Sequence, residues 1–216
     1  ISVIVDFYRT VGYLPQAILN YLVLLGWSLD DKTEHFEIAE MIEHFSLERI
    51  NSAPASFDPQ KLMAFQDHHM QRLPLVVKHS MVMPYLRAAG LVEDEPPLEL
   101  DRILDAAGDR LKVAGDILDY DDFFVADDQL AYNEDAFEKR LVKPDDAAEL
   151  LSRFRARLVA TEDFGAAALE ELMREFVEAE GIKLGRIIHA VRVATTGKGV
   201  GFGMFETLEI LGRERV

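Results

Sequence analysis

Pro15 opens the stretch that most restricts how this chain can fold. In Gly12-Tyr13-Leu14-Pro15 the glycine and the proline bracket a turn. Proline suits the first turn of a helix, where its missing N–H costs nothing. Ala17, Ile18, Tyr21, Leu22 and Leu25 follow at helical spacing, an amphipathic stripe that Gly26 is placed to end. The same period recurs along the chain, and no two stretches alternate as paired strands would. The expected fold is all-α, in consecutive helical bundles joined by short proline-marked loops.

Residues 2–11 line up Val3, Ile4, Phe7, Tyr8 and Val11, and residues 36–45 line up Phe36, Ile38, Met41, Ile42 and Phe45. Asp58-Pro59 reads as an N-cap followed by proline at the first helical position. Pro74 and Pro84 read as helix starts or kinks, and Glu93-Asp94-Glu95-Pro96-Pro97 as a polar loop. A helix is expected over 98–118, with Leu100, Ile103, Leu104, Leu111 and Ile117 apolar, then an acidic, aromatic loop over 119–128. Lys143-Pro144-Asp145-Asp146 starts another helix with acid in its first turn, at the positive end of the dipole. Thr161-Glu162-Asp163 is the expected cap of a last long helix that Gly181 ends.

The 216 residues suffice for one large domain or several small ones. Cysteine is absent, which removes disulfides, thiolate metal sites and cysteine nucleophiles together and fits a cytoplasmic protein. No uncharged apolar run approaches the roughly 18 residues of a membrane span, and the first residues lack the basic start of a signal peptide. A chain that begins at Ile1 is expected to be a fragment. The formal charge of −16 argues against nucleic acid until its distribution is considered. Residues 183–216 hold six cations against three carboxylates, a net of +3, which leaves −19 for residues 1–182. An acidic body with a basic end can offer one face to a polyanion.

Three ordered blocks resemble bacterial glutamyl-tRNA synthetases. Gly12 to Ser28 is similar to the segment that follows the family's Lys-Met-Ser-Lys-Ser-type ATP loop. Phe45-Ser46-Leu47-Glu48-Arg49, with Phe57-Asp58 downstream, is similar to its Phe-Ser-Leu-Glu-Arg motif, and Lys61-Leu62 opens the next helix. Gly181-Ile182-Lys183-Leu184-Gly185, Arg192-Val193-Ala194-Thr195-Thr196-Gly197 and Leu211-Gly212-Arg213-Glu214-Arg215 are similar to its C-terminal pattern. The resemblance implies an aminoacyl-tRNA ligase that joins glutamate to tRNA with ATP and Mg²⁺. Neither the His-Ile-Gly-His-type motif nor the ATP loop is in this chain, so the chain alone is expected to be non-catalytic and to hold no cofactor. By resemblance, residues 1–75 are a stem-contact helical region, 76–143 a first anticodon-binding helical domain and 144–216 a C-terminal one. The implied partner is a glutamate tRNA, with glutamine tRNA open as a second, bound by a monomer without DNA or membrane.

The resemblance maps the anticodon-side arginine of a Leu-Arg-Val-Ala-type motif onto Arg192, with Val191 in place of the leucine. A planar guanidinium suits an unstacked base, which is read by stacking and forked hydrogen bonds. His189 lies one turn earlier and can face the same way. Gly201 and Met204 fall where relatives approach anticodon bases; the glycine offers only main chain, and the methionine is otherwise core. Arg110 and Lys112 fall near an arginine that implies reading of the third anticodon base, or Asp109 stands in that register instead. Lys183 and Arg186, three apart, suit phosphate contact. Arg49 either anchors its own loop or touches the tRNA stem. Arg153, Arg155 and Arg157 read as a solvated surface.

Other patterns carry less. Gly197-Lys198-Gly199-Val200-Gly201 lacks the Ser or Thr and the leading glycine of a phosphate loop. Asp67-His68-His69 would need further aspartates at strand ends to hold metal, and the aspartates of 119–128 lack the glycine and glutamate of an EF-hand. The rival function is a helical protein-interaction module descended from the same domains.

Overall fold

Helices form where the apolar stripes lie, and a computed structural model describes them over residues 5–51 and 54–216. Val3 and Ile4 of the first stripe, and Ser52 and Ala53 between the Phe-Ser-Leu-Glu-Arg block and Phe57, lie outside the described residues. Among the described residues there is no strand, only an isolated antiparallel bridge between Trp27 and Ile50. No described helix is long and apolar enough to cross a membrane. The chain divides into two compact units, one of Ile1–Gly90 with Ala107–Asp119, the other of Leu91–Ala106 with Tyr120–Val216.

The first unit contains α1 (Val5–Val11), α2 (Pro15–Val23), α3 (Ile38–His44), α4 (Pro59–Gln71) and α5 (Leu75–Ala88). Pro15 does open α2, but the helix ends at Val23, before Gly26, because a tighter turn takes over: Gly26 N–H and Trp27 N–H both donate to the Val23 carbonyl. Asp58 caps α4 by accepting from Gln60 N–H at 2.8 Å. Pro74 precedes α5, and α5 continues through Pro84 while burying Val82, Met83 and Leu86. Tyr21, Leu62 and Phe65 join α2 to α4, and Trp27, Phe36 and Met41 form a separate small cluster. Buried amides finish the packing. Gln66 accepts from Leu14 N–H and donates to the Lys112 carbonyl, while Asn20 accepts from Phe36 N–H and donates to the Glu34 carbonyl.

The expected helix over 98–118 is not continuous. α6 (Leu100–Ala107) stops where Gly108 turns left-handed at φ +53°, and a 3₁₀ turn Gly108–Arg110 follows. Asp116 then accepts from the N–H groups of both Lys112 and Val113, which starts a new stretch of 3₁₀ turns over Ala114–Phe123.

The second unit continues with α7 (Glu134–Phe137), a π-helical turn Glu138–Val142, α8 (Ala147–Ala160), α9 (Ala166–Glu180), α10 (Leu184–Thr196) and α11 (Met204–Leu211). Its core is one cluster: Leu150, Phe154 and Leu158 from α8, Leu169, Met173 and Phe176 from α9, Ile187 and Val191 from α10, Met204 and Leu208 from α11. These recur three or four residues apart on each helix, which is why the stripes were legible. Gly181 ends α9 at φ +65°, as its position predicts. The cap of α9 differs from expectation. Gly165 is the N-cap residue, Asp163 accepts its N–H, and Glu209 of α11 takes the next one, from Ala166.

The acidic stretch expected as a solvent loop is instead folded and partly buried. It forms 3₁₀ turns over Ala114–Phe123 and Asp127–Gln129, with Asp122 only 4% exposed. Two cations from distant sequence hold it: Lys198 and Arg215.

Candidate functional site

α10 carries four of the expected contact residues in or beside it, and its ends are built differently. At its N-terminus Lys183 is an exposed N-cap residue, and Arg186 pairs with Asp146 at the N-cap of α8. Six residues further, about 9 Å along the axis at 1.5 Å per residue, stands Arg192. It is half-buried, and its Nη2 donates to the Phe202 carbonyl at 2.8 Å. Gly201 lies under the same guanidinium: a Cβ there would stand 2.9 Å from Arg192 Nη1. A side chain at this position between α10 and α11 would therefore have to displace the tip of Arg192.

His189 stands about one turn before Arg192 on α10. Burial, Arg140, Arg192 and Lys139, in that order, hold its imidazole below the ordinary histidine range. The π-helical turn Glu138–Val142 packs on α10 and brings in Lys139 and Arg140. Lys139 is exposed and Arg140 half-buried. The turn thus brings two further cations to the helix that carries His189 and Arg192. Lys139 and Arg140 were missed in the sequence, since they precede the basic C-terminal stretch and belong to no recognised block. Their signal was a pair of adjacent cations a few residues before a helix start, in a chain of strongly negative charge.

The loop itself is tightly determined. Gly197 closes α10 at φ +69°, and a Cβ there would stand 2.0 Å from the Ala131 carbonyl oxygen. The Gly197 carbonyl accepts from Asn133 N–H at 2.8 Å, and the Tyr132 hydroxyl donates to the Ala194 carbonyl. Lys198 Nζ donates to both Asp121 and the buried Asp122, the latter at 2.6 Å. Burial alone would lower the Lys198 pKa, but its two carboxylates outweigh burial and raise it, so the ammonium stays charged. Phe202 stacks on Tyr120 and Phe123, with ring centroids 4.3 and 5.2 Å away.

Other expected site residues are placed as follows. Met204 is 4% exposed and belongs to the core of the second unit, so its side chain packs inward. The first unit holds the remaining three. Arg110 is exposed in the 3₁₀ turn rather than on a helix, because Gly108 has already ended α6. Lys112 pairs with Asp67 at 3.5 Å, and Arg49 Nη1 donates to the Leu29 carbonyl at 2.7 Å. Arg49 thus anchors its own loop. Arg153, Arg155 and Arg157 are exposed on α8, with Arg153 paired to Glu149 and Glu180.

The first unit also has a polar recess lined by His35, His68, His69 and Arg72, where the His35 and His68 rings stack at 3.7 Å. Burial leads in lowering the pKa of all three histidines. His69 Nε2 lies 3.1 Å from the Asn20 side-chain oxygen, a link within the α2–α4 packing. Among the described residues no three His, Asp or Glu side chains are arranged to hold a metal ion.

Comparison with known proteins gives these folds a context. The family model described as "Anticodon binding domain" matches residues 77–216, and that for "tRNA synthetases class I (E and Q), catalytic domain" matches residues 1–64. A glutamate–tRNA ligase from Moorella thermoacetica is 37% identical over 98% of this chain and 44% of its own length. One from Herpetosiphon aurantiacus is 36% identical over 95% of this chain and 42% of its own. The crystal structure of a glutamate tRNA ligase from Elizabethkingia meningosepticum superposes with a TM-score of 0.84 at 27% identity, covering 96% of this chain and 40% of that one. The chain thus spans less than half the length of the curated relatives it matches.

Proposed function

The chain belongs to the anticodon-binding domain family found in glutamate–tRNA ligases, and on that premise we propose that it is the tRNA-gripping portion of such a ligase. The single observation that carries this reading is the packing of the turn that holds Lys139 and Arg140 against α10, the helix of His189 and Arg192, inside the stretch that matches the anticodon-binding model. In a molecule of net charge −16, a local grouping of cations on two packed elements is where a polyanion can dock.

The roles follow from chemistry and placement. Lys139, Arg140 and Lys183 meet phosphates, and Arg186 joins them when it leaves Asp146. Arg192 offers a planar guanidinium edge to an unstacked base, with His189 beside it and the Gly201 main chain exposed next to it. Met204 acts through the core on which α10 and α11 rest. In the first unit Arg110 and Lys112 are candidates for the third anticodon base, and Arg49 holds the loop that faces the stem. The division of labour is a stem-contact section over 1–75 followed by anticodon sections over 76–143 and 144–216.

The whole ligase would join glutamate to its tRNA with ATP and Mg²⁺, and this chain would set the tRNA's register so that the acceptor end reaches the catalytic centre. The chain contains neither ATP-binding motif, so no step of that chemistry is assigned to its residues. The reading includes action as a monomer in the cytoplasm, with glutamate tRNA the main ligand and glutamine tRNA a second.

Filter binding of transcribed glutamate tRNA tests it. Binding should weaken as salt rises, through counterion release, and Arg192→Ala should cost about 1–3 kcal/mol. Absence of salt-dependent binding overturns the proposal. Glutamate charging by this chain alone would overturn its non-catalytic part. A second reading, a protein-interaction module, draws on an exposed apolar groove of about 430 Å³ between α2 and α3, lined by Leu19, Val23, Ile38, Met41, Ile42 and Phe45.

A further inference from the structure

We infer that Lys198, although part of the basic C-terminal stretch, is a positioning residue that holds the loop 197–203 and through it aims Arg192. The inference rests on the reading that Arg192 meets RNA, and it adds what sets the direction of that guanidinium.

Lys198 is tied inward, with its ammonium between Asp121 and Asp122 and its side chain only 30% exposed. Four residues on, Phe202 stacks on the Tyr120 and Phe123 rings of the same acidic segment. The Phe202 carbonyl is the acceptor that holds Arg192 Nη2. Between these two anchors lies Gly201, where a Cβ would stand 2.9 Å from Arg192 Nη1 and would have to displace it. The acidic segment is itself fastened from the far end of the chain: Arg215 donates to the carbonyls of Asp122, Phe123 and Val125 and pairs with Asp127 at 2.9 Å.

The link thus runs from Asp122 to Lys198, along the short backbone of residues 199–201 to Phe202, and from its carbonyl to Arg192. Removing the ammonium leaves a buried Asp122 carboxylate without its cation, and the loop then has reason to move. The carboxylates of 119–128 serve to orient a cationic reader rather than to repel RNA or to bind a metal ion.

The test uses the full chain with Lys198→Met and Lys198→Arg, read by tRNA binding and by the Arg192 Nε–Hε resonance in ¹H–¹⁵N spectra. Lys198→Met should shift that resonance and weaken binding of the glutamate tRNA transcript by about tenfold. It should also narrow the preference over a transcript with an altered anticodon, with no change in the slope of log K against log salt. Lys198→Arg should restore much of the binding, since a guanidinium can still bridge the two carboxylates.

A slope reduced by about 0.7–0.9 in Lys198→Met would mean that Lys198 meets phosphate directly, and overturns the inference. So does a folded Lys198→Met with the Arg192 resonance and anticodon preference unmoved. If Lys198→Met does not fold, Asp121→Asn, at the exposed side of the pair, replaces it; a smaller shift of the Arg192 resonance supports the inference and no shift overturns it. If the unaltered chain binds no tRNA, the functional reading fails by itself, and the Arg192 resonance still decides whether Lys198 positions the guanidinium.

Discussion

Residues 183–216 and the turn Glu138–Val142 are both cationic, yet they use their charge in opposite ways. In the long stretch, Arg186 is paired with Asp146, Lys198 with Asp121 and Asp122, and Arg215 with Asp127. Arg213 donates to the carbonyls of Leu158 and Glu162, and Arg192 to that of Phe202. Most of the basic excess therefore braces the fold. In the short turn, Lys139 and Arg140 stand close enough to His189 to depress its pKa together with Arg192. A segment's net charge is a sum over sequence, whereas a polyanion meets what is left after each charge has found its partner.

The sharpest way to break the long stretch is at Gly197. Gly197→Val would force a β-branched side chain to φ +69° and its Cβ against the Ala131 carbonyl. We expect a loss on the order of 3 kcal/mol in urea unfolding. Gly90→Ala has the same φ but open space around it, and should lose only about 1 kcal/mol. Arg215→Ala should come next, at about 2 kcal/mol of stability from its bonds to residues 122–127, and should leave the salt slope of tRNA binding unchanged. The short turn should respond in reverse. Lys139→Ala or Arg140→Ala should each lower the salt slope by about one while changing stability by no more than about 0.5 kcal/mol. A large stability loss there would erase the contrast.

The smallest effect concerns pH. His189 has a lower pKa folded than unfolded, so the unfolded chain binds the extra proton first. Stability should be full above the ordinary histidine range and fall as pH drops through it. The first unit adds to the same trend through His35, His68 and His69. Urea midpoints measured on both sides of that range should therefore fall in acid. His189→Gln should flatten the fall only slightly, and a fall abolished by it would place the whole effect in the second unit.

Much of the fold was legible because helix formation is local. The stripes of α8 to α11, the Asp58 cap and the left-handed Gly181 depend on residues within one or two turns of each other. The misplaced boundaries are those decided from a distance. α9 begins at Ala166 because Glu209, on another helix, takes its N–H. The expected 98–118 helix divides at Gly108, and the new start depends on Asp116. The candidate site was legible in part: His189 and Arg192 shared a helical face in the sequence, whereas Lys139 and Arg140 join them only through the packing of the turn on α10.

By itself, the order of apolar and polar residues determined that this is a helical chain, and its motifs determined which family it resembles. Tertiary structure alone decided which charges remain available. Partners such as Asp122 and Lys198 lie 76 positions apart, and no local spacing encodes a contact made across that distance.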